Sequence, residues 1–176
     1  MRPVPKINTR QLTLRPLRQD DFERFAEIWA KPDLIAQHPV AARCRAVAWD
    51  GFLRNAGHWS MVGLGSWGIE ARRGKGLTET VLIGQVGFGF GSQRFGQDFD
   101  RFPEAEWIFD RQFADPALIK EATQAVHDWF DRVIIGPVVC RVGMSYPDAK
   151  ALAAHLGYVP LRVVDDVQLM IRKSPP

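Results

Sequence analysis

The spacing of apolar positions changes several times along the chain, and each change marks an element. Gln11–Arg15 alternates, with Leu12 and Leu14 on one face, the two-residue period of a half-buried strand. From Asp20 and Asp21 the period lengthens. Phe22, Phe25, Ala26, Ile28 and Trp29 share one side of a helix that Pro32 stops. A second helix is expected from about Ala41 to Ala56, with Ala46, Val47, Phe52 and Leu53 turned inward. Ser66–Ala71 and Val81–Phe90 read as an antiparallel hairpin around a charged glycine turn. Glu104–Phe109 is a short strand after a Gly- and Asp-rich loop, and Pro116 opens a helix. That helix aligns Leu118, Ile119, Ala122, Ala125, Val126, Trp129 and Phe130 on one side. Val138–Gly143 is another strand, Ala149–His155 a short helix closed by Gly157, and Val163–Arg172 a final strand. The order β, α, α, β, β, β, α, β, α, β predicts an α/β fold with a mixed sheet and helices on both faces.

Composition narrows this little. A length of 176 residues and a hydrophobic share of 46% suit one domain, residues 1–176, with a sizeable core. The net charge of +3 is scattered rather than patched, so no nucleic-acid partner is expected. The densest basic group, Arg72, Arg73 and Lys75 beside Gly74 and Gly76, reads as a solvated hairpin tip. Cys44 and Cys140 form no disulfide framework and have no histidine at ligand spacing, which points to a reducing, cytoplasmic home. No secretory signal and no run of membrane-spanning length is visible. His38, His58, His127 and His155 lack metal spacing, so no metal is expected.

The stretch most open to chemistry is Glu104–Asp131. A strand feeding a helix N-terminus is where backbone N–H groups and the helix dipole converge to hold a pyrophosphate. Here that place carries Asp115 and Pro116, a carboxylate and a residue without an N–H. Asp before Pro is a strong N-cap whose side chain takes the donors a phosphate needs. A like-charge contact at about 4 Å costs up to about 4 kcal/mol at an effective dielectric near 20.

The segments TRQLTLRPLRQDDFERFAEIW, HWSMVGLGSWGIE, LIGQVGF, EAEWIFD and AAHLGYVPL, in this order from about Ile7 to Arg172, resemble the GNAT acetyltransferases. The likeness is to the RimJ/RimL-type branch, which acetylates ribosomal-protein N-termini and small amines. It implies a V-shaped mixed sheet in which acetyl-CoA lies between two splayed parallel strands, here Glu106–Phe109 and Val138–Gly143. Main-chain groups of Trp107, Ile108 and Phe109 would pair with the pantetheine arm. Gln112, Phe113, Ala114, Asp115, Pro116 and Ala117 align with the family's phosphate loop, whose central glycine is Asp115 here. Tyr146 and Ala149 stand where relatives carry asparagine and serine, with Ser145 and Asp148 one residue earlier. Ala153 stands where many relatives place a tyrosine acid.

The same resemblance implies a catalytic set. Glu104 and Glu106, two apart on a strand, point to one face. Either suits a base, with Glu106 the first choice, and either suits a structural pair with an arginine such as Arg101. Ser145 is the candidate to protonate the leaving thiolate, and the N–H near Ile108 the oxyanion donor. Trp29 and Trp49 lie on segments that wall the acceptor site in relatives. The partner implied is a small amine or a protein N-terminus, the co-substrate acetyl-CoA, and the assembly, by analogy, a homodimer. Two alternatives stand beside this: a non-catalytic GNAT-fold protein binding another ligand or partner, and an acyltransferase using a phosphopantetheine donor. The transferase reading requires a gap between the two middle strands.

Overall fold

The computed structural model describes residues 4–73, 79–91 and 94–173. The basic turn expected around Gly74–Gly76 lies outside them. Nine strands and five α-helices are described: β1 (Ile7–Asn8), β2 (Leu12–Arg15), α1 (Phe22–Trp29), β3 (Ile35–Ala36), α2 (Arg45–Val62), β4 (Ser66–Arg73) and β5 (Glu79–Gly89) come first. Then follow α3 (Gln97–Asp100), β6 (Glu104–Phe109), α4 (Pro116–Val133), β7 (Val138–Gly143), α5 (Pro147–His155), β8 (Val159–Val164) and β9 (Val167–Arg172). The strands form one sheet in the order β1-β2-β4-β5-β6-β7-β9-β8, with β3 attached to β6.

Each face of the sheet has its own helices. Ile119, Ala122, Val126 and Phe130 of α4 pack with Trp67, Phe88, Trp107 and Phe109 in one core. Phe22, Phe25 and Trp29 of α1 and Phe52 of α2 pack against Leu82 and Ile108 on the other. Because side chains alternate along a strand, β6 sends Ala105, Trp107 and Phe109 to the α4 core and Glu104, Glu106 and Ile108 to the α1–α2 side.

Two expectations need correction. The second helix starts at Arg45 and buries Ala48 and Phe52, leaving Ala46, Val47 and Leu53 exposed. Residues 37–44 form no helix because they are held elsewhere: the Arg43 N–H bonds Trp29 O at 2.7 Å, and Pro39 interrupts the run. The single final strand is instead the hairpin β8–β9, turned at Asp165 with φ 51°. Aspartate tolerates this left-handed conformation, so a turn forms without glycine.

The feature that positions a site is the one parallel pairing among the described strands. β6 and β7 pair only at Glu104↔Val139, whereas β5 pairs β6 along its whole length. Beyond that contact the two middle strands part, and the gap that the sequence reading requires is present.

Candidate active site

The gap is not vacant. On the edge of β6 that faces β7, β3 pairs as a short antiparallel strand, Ile35 opposite Phe109 and Ala36 opposite Ile108. The next residue, Gln37, is 2% exposed. Its Nε2 donates to Ala105 O at 2.7 Å and its Oε1 accepts from Trp107 N at 2.8 Å. Its own carbonyl accepts from Gly143 N of β7 at 2.8 Å. Gln37 therefore spans the fork, offering β6 the same donor and acceptor that an amide-bearing arm laid along this edge would offer.

The loop that follows β6 is equally self-satisfied. Asp110, fully buried, accepts from Arg24, from Lys31 Nζ at 2.8 Å and from Gln112 N at 3.1 Å. Burial pushes its pKa up, but hydrogen bonds from Lys31 and Arg24 outweigh this and hold it below the usual carboxylate range. Phe113 N and Ala114 N both donate to Asp110 O at 3.0 Å. Asp115 accepts from Leu118 N at 2.8 Å, and Pro116 follows it as the first helical residue. Four main-chain donors of the loop and first turn, on Gln112, Phe113, Ala114 and Leu118, are engaged, and the two nearby cations, Arg24 and Lys31, are paired with Asp110.

On the α1–α2 face lies a cavity of about 720 Å³. Glu104 and Glu106 enter it from β6, opposite Gly89 and Gly87 of β5, so no cross-strand side chain covers them. Glycine is required at position 87, since a Cβ there would meet Gly65 O at 2.2 Å. Glu104 is buried against Arg141 of β7. Burial nevertheless raises its pKa to about 7, with Arg141 opposing and Glu106 adding to the rise. Its partner is thus not Arg101, whose guanidinium lies over Phe102.

Other polar groups in the cavity have nothing to hold. Among the described residues the Glu106 carboxylate makes no hydrogen bond or ion pair, nor does the guanidinium of Arg54. The Gln85 amide makes no hydrogen bond either, and its Oε1 is buried without a partner. Arg43 stacks on Trp29 at 3.6 Å, its pKa lowered by burial and by Arg54. His38 Nδ1 lies 3.1 Å from Pro39 O, and burial lowers its pKa, so the ring is neutral near pH 7 and Nδ1–H donates to that carbonyl.

With this geometry in place, the comparisons are direct. An acetyltransferase (GNAT) domain model matches residues 11–159. The chain belongs to the GNAT acetyltransferase family. Among solved structures, a GNAT-family acetyltransferase from Bordetella pertussis superposes with a TM-score of 0.84 at 23% identity, over 96% of this chain and 99% of that one. An acetyltransferase from Agrobacterium tumefaciens gives 0.75 at 21%, over 97% and 95%. RimL, the ribosomal L7/L12 α-N-protein acetyltransferase solved in complex with coenzyme A, gives 0.71 at 13%, over 96% and 98%. At these identities the likeness establishes the GNAT fold, RimL among its examples, and carries nothing about substrate. No curated protein matches the sequence.

This GNAT chain distributes the expected site residues unevenly. Glu106 lies in the cavity, as do main-chain or side-chain atoms of Trp107 and Ile108. Phe109 is buried core. Gln112, Asp115 and Ala117 are exposed on the loop and first helical turn, Ala114 is buried, and Phe113 lies beneath Arg24 at 5.0 Å. Tyr146 packs its ring against Gly143. Ser145 sits in the exposed turn after β7 and does not line the cavity. Trp29 lines the cavity, whereas Trp49 packs edge-on against Phe22 at 4.7 Å. Sequence reasoning missed Gln37, Arg43, Arg54, Gln85 and Arg141. Only the last carried a usable signal, a charge set within the apolar run VVCRVG of a middle strand.

Proposed function

We propose that this protein is an N-acetyltransferase that moves an acetyl group from acetyl-CoA to a primary amine seated in the cavity. The observation that carries the proposal is Glu106, a carboxylate without an internal partner, placed on β6 beside the fork. A bound ammonium would pair with it, and the same carboxylate would take the proton that the amine must lose before it can attack. Gln85 Oε1 offers a second acceptor for the amine. Glu104, pushed up to about 7 by burial, would keep Arg141 in place and add to the negative field at Glu106.

The donor side fits in part. The edge atoms Ala105 O and Trp107 N suit an amide-bearing pantetheine arm once Ile35–Gln37 has moved away. The loop Gln112–Ala117 does not suit a diphosphate, so the nucleotide end of the donor is assigned no contact. That loop favours a second reading: a phosphopantetheine donor without the nucleotide, or a ligand-binding protein without transfer. Calorimetry with acetyl-CoA and with phosphopantetheine, alongside an acetylation assay on an amine panel, separates these. Turnover with acetyl-CoA that falls about 10²-fold or more in Glu106→Gln supports the proposal. Binding of the short arm without CoA binding supports the phosphopantetheine donor, and binding of neither overturns transfer.

A further inference from the structure

The charges left unpaired in the cavity specify more than an amine, and this inference rests on the transferase reading for the role of the ligand as acceptor. Besides the Cys44 thiol, seven charged or titratable side chains line the space: Glu104, Glu106, Asp100, Arg43, Arg54, Arg141 and His38. Glu104 is taken by Arg141. Asp100 is taken by the main-chain N–H groups of Phe95 and Gly96, at 3.0 and 2.9 Å. His38 is neutral near pH 7. What remains is one carboxylate, Glu106 on the sheet, and two guanidiniums, Arg43 and Arg54, from α2 and the segment before it.

Two guanidiniums sharing a cavity repel, and a single carboxylate, Glu106, opposes that repulsion at Arg43. A monoamine would satisfy Glu106 and leave both arginines facing it. A diamine would be repelled at its far end. A protein N-terminus carries an ammonium but no carboxylate on the same residue. A free amino acid carries both charges a few ångströms apart, and a carboxylate suits the planar guanidinium fork. Around these groups the walls are apolar, with Val40, Val47, Phe95 and Phe102 among the lining residues.

We propose that the acceptor is a free amino acid with an apolar side chain, its ammonium held by Glu106 and Gln85 and its carboxylate by Arg43 and Arg54.

Calorimetry on the full chain with leucine, leucinamide and isocaproate tests this without any acyl donor. Leucine is expected to bind at least tenfold more tightly than either analogue, because each lacks one of the two charges. Arg54→Ala, a change at an exposed position, should shrink the gap between leucine and leucinamide to less than threefold. Glu106→Gln should do the same to the gap between leucine and isocaproate. Leucinamide binding as tightly as leucine overturns the proposal, as does a gap indifferent to Arg54, or no leucine binding at all. The two readings fail separately. Leucine binding without N-acetylleucine formation from acetyl-CoA removes the transferase and leaves the amino-acid site. Equal acetylation of leucine and leucinamide removes the amino-acid site and leaves the transferase.

Discussion

Two regions meet at β6, and they treat polar atoms in opposite ways. Along the edge facing β7, and through the loop beyond it, Ala105 O, Trp107 N, Gln112 N, Phe113 N, Ala114 N and Leu118 N all have partners within the chain. On the face beside that edge, Glu106, Gln85 and Arg54 have none among the described residues. Arg54 is exposed, but Glu106 and Gln85 are partly shielded from water, and polar groups so shielded without partners cost free energy that a bound ligand would recover. A saturated groove can admit a ligand only by giving up an internal bond first. On the proposed reading, a ligand enters the cavity at no internal cost, whereas the fork must first be opened.

If the saturation of the donor side is structural, breaking it should destabilise the protein, most of all at Asp110. Asp110→Asn removes the buried charge that holds Arg24, Lys31 and the loop N–H of Gln112, and should cost about 3 kcal/mol, read by urea unfolding. The pH dependence has a definite sign. The native pKa of Asp110 is depressed, so its contribution is present above the unfolded value of 3.8 and is lost as pH falls below it. Wild type should therefore lose stability in that acid window more steeply than the variant. A cost under about 1 kcal/mol would mean that the loop is not held as described.

Gln37→Ala should come next. It strips partners from Ala105 O and Trp107 N on a buried edge, for about 2 kcal/mol. The comparison is sharpest in what restores that loss. If the edge is the seat of a donor arm, pantetheine should raise the melting temperature of the variant more than that of wild type. A variant that ignores pantetheine would show that Gln37 fills a structural gap with no donor behind it.

How far the sequence disclosed these regions follows from the range of the forces involved. β6 and β7 were legible to the residue because each is a short, largely apolar run with a proline before it, Pro103 and Pro137, and β-branched residues within. The start of α4 was legible because Asp115–Pro116 is a local cap signal, and the capping hydrogen bond to Leu118 N is present. The hairpin β8–β9 was hidden by Asp165 and Asp166, which turn the chain without glycine between two apolar arms. The start of α2 was misplaced because residues 37–44 are committed to the cavity and the fork, contacts that no local period records. Gln37 and its partners are separated by 68 and 70 positions. Glu106 was legible because its strand was, and strand alternation then fixes which face it enters. Arg43 and Arg54 were not, because their place depends on how α2 docks.

The smallest expected effect is the one that tests the cavity half of the comparison. Glu106→Gln keeps shape and removes a charge that has no internal partner, so global stability should shift by no more than about 0.5 kcal/mol. The sign should lean toward stabilisation if the carboxylate is held shielded at a cost, as groups kept for ligands often are. Measured in the same urea series as Asp110→Asn, this near-zero value against about 3 kcal/mol would separate a group kept for a ligand from one kept for the fold. A loss above about 1.5 kcal/mol would place Glu106 in a structural network like that of Asp110. The contrast between the two sides of β6 would then disappear, and with it the reason for assigning Glu106 to an incoming amine.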